Sequence, residues 1–270
     1  LVLSKNIECD TIKSMVAAKP CGGKAVLSAK IIMIASGKGG TGKSTVSVLL
    51  GGRLAAAHRR VLLIELDSGL RSVDIISGVY GKTVYDIEDV LCGRCSGEKA
   101  VVESPLYPGL SVISAPYEGG EVETQALAAL CEKMRGYFDY LLIDTAAGIG
   151  APLKAAMACA QQCLLVLPAD PVSLRDGRIV SDTLYSAGLT DVRLVVNRVR
   201  ADTFRTGVVR DLDECIGTVS AQLIAVIPES TEIQLAAAQG SALPQGCLAF
   251  TAVDRLARRI MGERIALAVR

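Results

Sequence analysis

Short runs of β-branched and leucine residues recur along the chain, and stretches with helical character or with glycine and polar residues separate them. Runs of this length and composition are typical of strands that are buried on both faces of a parallel sheet. The alternation predicts an α/β fold, a doubly wound and mostly parallel sheet with helices on both faces. We predict the strands at residues 31–35, 61–66, 110–115, 138–144, 163–167, 192–196 and 221–227.

The segments between these runs carry the predicted helices. Residues 46–58 are small and apolar, residues 124–135 are amphipathic, and a further helix opens at Ser173. Residues 82–104 favour two short helices. Residues 250–261 place apolar side chains on one helical face and arginines elsewhere, which favours a last helix docked on the sheet over a helix lying on an anionic membrane.

All predicted elements fall within residues 30–265, and the length of the chain allows a single α/β domain or two small ones. Residues 1–29 show no sustained periodicity and are interpreted as an N-terminal extension, and residues 266–270 as a short C-terminal tail. No apolar run approaches the roughly 18 residues that span a bilayer, and the N-terminus lacks a signal-peptide pattern. We therefore expect a cytoplasmic location.

Composition adds few constraints. The formal net charge of +1 argues against a chain that binds polyanions through its overall charge, although a local basic patch is compatible with it.

The nine cysteines are expected to be reduced in the cytosol. Cys92 and Cys95 form a C-x-x-C pair, but no second pair at zinc-finger spacing follows, which favours ordinary thiols. The single histidine, His58, is expected to be a solvated residue at a helix end.

The glycine-rich stretch after the first strand carries the strongest chemical signal. Gly37, Gly42, Lys43 and Ser44 match G-x-x-x-x-G-K-[ST], the phosphate-binding loop. Glycines let backbone N–H groups converge on an anion, and the following helix points its positive end at the same place. We predict ATP and Mg²⁺ here, with Lys43 on the β- and γ-phosphates and the Ser44 hydroxyl on the metal. The residues expected around the phosphates are Gly37, Lys38, Gly39, Gly40, Thr41, Gly42, Lys43, Ser44 and Thr45.

Two carboxylates follow predicted strands and are expected at the same edge of the sheet. Asp144 ends the strand 138–144 and is predicted to face the Mg²⁺ shell. Asp67 follows the strand 61–66, at the edge where ligands bind in open α/β sheets. A turn or helix-capping role is the alternative for Asp67.

Two strings in this chain resemble the ParA/MinD family of ATPases. Residues 38–45, KGGTGKST, are similar to the family's deviant phosphate loop, and residues 65–74, ELDSGLRSVD, to its switch segment. The resemblance covers about residues 30–265 and implies a P-loop NTPase fold of the SIMIBI type. It also implies an ATP-dependent homodimer, in which Lys38 reaches the partner's phosphates and Asp67 orients the attacking water. The implied catalytic residues are Lys38, Lys43 and Asp67, and the implied metal residues are Ser44, Asp67 and Asp144.

Later segments extend the resemblance in the family's order. Asn197 and Arg198 match a strand end whose asparagine reads adenine, and an amide can both donate to and accept from a base edge. Pro228 and Glu229 match an element whose backbone flanks the base. Residues 173–176 match a stretch near the family's dimer and partner surface, which makes Arg175 and Asp176 candidates for coupling or, alternatively, an exposed ion pair.

The resemblance implies an ATPase that hydrolyses ATP to ADP and phosphate and acts as a spatial switch in the selection of cell-division sites. It implies a protein partner of the MinC or MinE kind and a peripheral position on the inner face of the membrane, for which no C-terminal anchor is visible.

Three alternatives stay open at this point. A ParA-type partition ATPase would bind DNA, which we expect less because no dense Lys/Arg stripe is present. An iron–sulfur carrier would use Cys92 and Cys95. A non-hydrolysing scaffold would follow if Glu65 or Ala146, which stand where the family commonly has Asp and Pro, disable turnover.

Overall fold

The structure is a computed structural model that describes residues 29–69, 71–119 and 122–267. Its strands form one eight-stranded sheet. The strands are β1 (Lys30–Ala35), β2 (Val61–Glu65), β3 (Val102–Glu103), β4 (Leu110–Ile113), β5 (Tyr140–Asp144), β6 (Gln162–Leu167), β7 (Val192–Val199) and β8 (Gln222–Pro228). Their order across the sheet is β3-β4-β2-β5-β1-β6-β7-β8, and every neighbouring pair is parallel except β3 with β4.

Helices connect successive strands, except that β3 leads directly into β4. Within the described residues they are α1 (Lys43–Ala56), α2 (Ser72–Ser77), α3 (Ile87–Leu91), α4 (Gly97–Ala100), α5 (Thr124–Met134), α6 (Ala151–Met157), α7 (Pro171–Ser186), α8 (Leu212–Val219), α9 (Thr231–Gln239) and α10 (Leu248–Ile260).

Side chains of the central strands alternate between two hydrophobic cores, one on each face of the sheet. In β1, Ile31 and Met33 belong to one core, and Ile32 and Ile34 belong to the other. Helices α5, α6, α7 and α8 contribute to the first core, and α1, α2, α9 and α10 to the second. The predicted doubly wound sheet with helices on both faces is therefore confirmed.

Parallel pairing brings the functional strand ends together. In register, Ile34 of β1 and Glu65 of β2 both pair with Asp144 of β5. Asp144 consequently lies in the middle of the sheet, between the strand that leads into the glycine-rich loop and the strand that leads into the switch segment. Ligands of open α/β sheets bind at this carboxyl edge.

The last helix, α10, is docked on the sheet as its pattern predicted. Val253, Leu256 and Ile260 are buried in the second core. Asp254 joins α10 to α1 through an ion pair of 2.6 Å with Arg53. The apolar face of this helix is therefore occupied within the molecule.

Several elements were absent from the sequence prediction. The edge strand β3 has only two residues, too few to show a period, and it pairs antiparallel with β4. The short helices α2, α6, α8 and α9 were also missed. The helix after the loop begins at Lys43 rather than at residue 46, and β7 continues through Asn197 and Arg198 to Val199. The predicted extension, apart from Ala29, lies outside the described residues.

We expect Leu142→Ala to lower the free energy of unfolding by roughly 2–5 kcal/mol, because Leu142 is fully buried on β5 and its loss leaves a cavity. Urea unfolding measures the change. Leu235→Ala is the matched control, since Leu235 is 52% exposed and its change should stay within about 0.5 kcal/mol. Equal losses in the two variants would contradict the described burial of β5.

Candidate nucleotide-binding site

The loop between β1 and α1 has the backbone conformation that its glycines predict. Gly40 and Gly42 have φ angles of 76° and 89°, in the left-handed region that favours glycine. The space around Gly42 is also closed, because a Cβ atom there would lie 2.4 Å from Nδ2 of Asn197. At Gly37 a Cβ atom would lie 2.6 Å from Asp176 of α7. Side chains are therefore excluded at Gly37 by packing, at Gly40 by conformation and at Gly42 by both.

Lys43, the first residue of α1, is held between two carboxylates. Its Nζ atom lies 3.2 Å from Oδ1 of Asp144 and 3.3 Å from Oδ2 of Asp67. The lysine side chain is 5% exposed, so its charge depends on these partners rather than on water. The structure thus brings together three residues that were predicted from separate parts of the chain.

Asp144 is fully buried, and its two carboxylate oxygens differ. Oδ1 accepts hydrogen bonds from Lys43 and, at 2.9 Å, from the hydroxyl of Ser47, whereas Oδ2 has no hydrogen-bond partner. Burial raises the pKa of Asp144, against the charge of Lys43 and the hydroxyls of Ser44 and Ser47 nearby. An oxygen left unpaired beside a serine hydroxyl fits a divalent cation, which prefers oxygen ligands. Sequence reasoning missed Ser47, although it lies one helical turn after Lys43 on the same face.

Glu65 connects the switch segment to the sheet. It is fully buried, and its carboxylate accepts hydrogen bonds from the backbone N–H groups of Val73, at 3.2 Å, and Ala115, at 3.3 Å. Burial raises the pKa of Glu65 to about 8, against these two hydrogen bonds. The glutamate that departs from the family pattern therefore fastens the start of α2 to the segment after β4.

Arg71 fixes the path of the switch segment. Its φ angle is 44°, unusual for a residue with a side chain, and the side chain is buried. The guanidinium donates hydrogen bonds to Asp74 and Thr83, each at 2.7 Å. It also stacks over the Tyr117 ring, with its central carbon 4.0 Å from the ring centroid. Asp74 is itself fully buried and also accepts a hydrogen bond from Ser114. These contacts hold the backbone that follows Asp67.

A cavity of about 240 Å³ adjoins the loop on the side of β7 and β8. Among the residues that line it are Gly42, Thr45, Asn197, Arg198, Pro228 and Glu229. Asn197 is buried, and its Nδ2 atom donates to the carbonyl of Thr41 at 2.8 Å. The structure therefore places the predicted base-binding residues beside the loop, and the asparagine amide supports the loop itself. That it also reads adenine stays a prediction.

Lys38 lies apart from Lys43. Its Nζ atom is 3.4 Å from Oδ1 of Asp170. The side chains of Lys38 and Asp170 are 39% and 40% exposed. Asp170 caps α7 by accepting from the backbone N–H of Ser173 at 2.9 Å. Arg175 forms an exposed ion pair of 3.0 Å with Asp176. No pattern in the sequence predicted the contact of Lys38 with Asp170.

Cys92 and Cys95 are free thiols between α3 and α4, and burial raises the pKa of Cys95. His58 lies just beyond α1, exposed, with a φ angle of 58°.

Across the described ranges, no group of three or more His, Cys, Asp or Glu side chains is placed to hold a metal ion by itself. Nor do those ranges contain a helix long and apolar enough to cross a membrane.

The loop, the buried aspartate and the adjoining cavity define a P-loop nucleotide-binding protein. A family model described as the CobQ/CobB/MinD/ParA nucleotide binding domain matches residues 32–243. The chain is 32% identical to the septum site-determining protein MinD of Bacillus subtilis over 244 residues, which covers 88% of this chain and 91% of that protein. The chain belongs to this family and, within it, to the MinD-like cell-division ATPases.

Solved structures agree with this assignment. One is MinD in the MinC:MinD cell division protein complex of Aquifex aeolicus, with a TM-score of 0.83, 32% identity and coverage of 89% of this chain and 99% of that one. Another is the septum site-determining protein MinD of Pyrococcus horikoshii, complexed with Mg-ADP, with a TM-score of 0.76, 25% identity and coverage of 86% and 96%. The resemblance to the ParA/MinD family is confirmed.

We expect Gly42→Ala to destabilise the nucleotide-free protein by roughly 1–3 kcal/mol, because the new Cβ atom meets Asn197 and the φ angle of 89° strains an alanine. Urea unfolding measures the loss. The control is Gly39→Ala in the same loop, where a Cβ atom meets nothing within 4 Å and φ is not in the left-handed region. Equal effects of the two substitutions would refute the packing described for Gly42.

We expect Glu65→Gln to remove a pH dependence of stability. The pKa of Glu65 is about 8 in the folded protein, above its ordinary value of 4.5, so the folded state keeps a proton that the unfolded chain has released. The wild-type free energy of unfolding therefore falls as pH rises through this window, by an amount on the order of a few kcal/mol. A glutamine side chain cannot titrate, so the free energy of unfolding of the variant should not show this fall. Urea unfolding at several pH values tests it, and parallel pH profiles in the two proteins would contradict it.

Proposed function

We propose that this protein binds Mg-ATP in the loop between β1 and α1, dimerises on ATP, and hydrolyses ATP to ADP and phosphate as a spatial switch in the selection of cell-division sites. The observation that carries the proposal is the position of Lys43 between Asp67 and Asp144 at the opening of the glycine-rich loop. A lysine there is within reach of phosphates that the loop binds.

The loop itself supplies the binding groups. Its backbone N–H groups and the N-terminus of α1 would hold the phosphates, with Thr45 on the α-phosphate. The base would occupy the adjoining cavity between Asn197 and the backbone of Pro228 and Glu229. This arrangement leaves the γ-phosphate near Lys43 and Asp67.

The residues present fit Mg²⁺, because Oδ2 of Asp144 is buried and unpaired and the Ser44 hydroxyl lies near this carboxylate. Ser44 and Asp144 would hold the ion, and Asp67, whose side chain is 36% exposed, would complete its shell or bind a water. When bound, the ion would neutralise charge that develops on the β- and γ-phosphates.

Lys43 changes partners in this proposal. Phosphate oxygens replace the carboxylates as its counter-charges, so the lysine remains paired while it moves. Asp67 is thereby released from the lysine and becomes free to accept a hydrogen bond from the attacking water. Lys43 then stabilises the charge that builds up on the transferred phosphoryl group.

Lys38 is the residue proposed to join the two protomers. Its ion pair with Asp170 is exposed, and exposed pairs contribute little free energy. The lysine can therefore leave Asp170 and extend to the phosphates bound by a second copy. Asp170 would hold it in the monomer.

The Aquifex aeolicus relative occurs in a complex with MinC, which supports a protein partner of the MinC kind for this chain.

We also propose a cytoplasmic protein that associates peripherally with the inner face of the membrane. Co-sedimentation with anionic vesicles, with ATP or ADP, tests this, and naked DNA is the parallel bait. Binding to DNA alone would favour a partition ATPase instead.

Asp67→Ala is expected to lower ATP hydrolysis by roughly 10²-fold or more and to retain the ATP-bound dimer, because binding survives while water is no longer oriented. Phosphate release measures turnover, and light scattering with ATP measures the dimer.

Lys38→Ala is expected to abolish the ATP-dependent dimer while the monomer still binds ADP. Lys82→Ala removes an exposed lysine outside the site and serves as the charge-matched control. Unchanged hydrolysis in Asp67→Ala, or unchanged dimerisation in Lys38→Ala, would overturn the corresponding role.

A further inference from the structure

A second cavity, of about 410 Å³, lies along the C-terminal half of α1. Its volume falls in the range of small-molecule binding sites. Helix α1 has 14 residues and is therefore roughly 20 Å long, so its two ends serve different parts of the molecule. The phosphate-binding loop precedes the first residue of α1, whereas Ala56, its last residue, lines this cavity.

The walls of this cavity are predominantly apolar. Leu49 and Ala56 contribute from α1, and Leu243, Phe250 and Val253 come from the segment that ends in α10. Apolar walls with a few convergent polar groups are the usual composition of a ligand site.

Tyr107 lines the same cavity and is packed closely on α1. A Cβ atom at Gly52 would lie 2.5 Å from the tyrosine ring, so only a glycine allows the ring to approach the helix this closely. The Tyr107 hydroxyl oxygen is buried and faces the Leu243 backbone, yet it makes no hydrogen bond of normal geometry. Buried hydroxyls are normally paired, so an unpaired one next to a cavity is unusual.

The remaining polar groups at the cavity favour a ligand that accepts hydrogen bonds. Arg53 stacks over the Phe250 ring at 4.4 Å and uses its Nε and Nη2 atoms on Asp254, at 3.1 and 2.6 Å. His58 and Gln245 add further donors. The described residues that line the cavity include no carboxylate.

We propose that this cavity is a binding site for a small molecule that combines an aromatic or aliphatic ring system with one anionic group, and that it is separate from the nucleotide site. The ring system would lie between Phe250, Leu243 and the Tyr107 ring. The anionic group would face Arg53 and His58. Leu49 lines both this cavity and the one beside the phosphate loop, but the two cavities otherwise share no lining residue.

The probe is 1-anilinonaphthalene-8-sulfonate, an aromatic ring system with one anionic group, titrated into the nucleotide-free full chain and followed by fluorescence. We expect saturable binding at one site per chain that persists in the presence of Mg-ADP. Ala56→Phe fills the cavity from the end of α1 and should weaken binding by roughly tenfold or more. Ala57→Phe is the matched control, because the neighbouring alanine does not line the cavity, and it should bind as the wild type does.

A second substitution tests the anionic preference. His58→Asn keeps a residue that tolerates the left-handed backbone and should weaken binding of the sulfonate by several-fold but leave the uncharged N-phenyl-1-naphthylamine unaffected. Thermal unfolding verifies that each variant is folded, and Ala56→Leu replaces the phenylalanine variant if that one is not. Displacement of the probe by Mg-ADP, several equivalent sites, or equal binding by the Ala56 and Ala57 variants would overturn the proposal.

Discussion

The buried ion pair of Lys43 with Asp144 is the interaction on which the site depends. Neither side chain has meaningful access to water, so each makes the other's charge tolerable in the interior. The cost of burying the Asp144 carboxylate still appears in its raised pKa and in one oxygen that has no hydrogen-bond partner. In the proposed function, a ligand that brings phosphates and a cation would relieve both, because the phosphates would pair with the lysine and the cation with the carboxylate.

The parallel sheet makes this pair possible. Asp144 is the last residue of a central strand, and Lys43 is the first residue of the helix that follows the neighbouring strand. Both therefore arrive at the carboxyl edge, where a helix N-terminus also points. Ser47, one turn further along α1, adds a hydroxyl to the same carboxylate.

Packing around the site holds the neighbouring loops in place. Glu65 ties the start of α2 to the sheet, and Arg71 is enclosed by Asp74, Thr83 and the Tyr117 ring. On the opposite side, α7 approaches so closely that its backbone excludes a side chain at position 37. The phosphate-binding loop is therefore in direct contact with α7, the helix that carries Arg175.

The local pattern of the chain was sufficient for the strand–loop–helix unit, for the strand that ends in Asp144 and for the doubly wound class, because glycine spacing and buried strands leave short-range signals. It did not reveal β3 or α2, which are too short to show a period. The partners of the functional residues were also hidden, because they are set by contacts between distant segments. Asp170 lies 132 residues from Lys38, and Asn197 lies 156 residues from Thr41, whose carbonyl it binds. No periodicity encodes such pairs, and folding alone brings them together. The same holds for Tyr107 on Gly52 and for the cavity that they border.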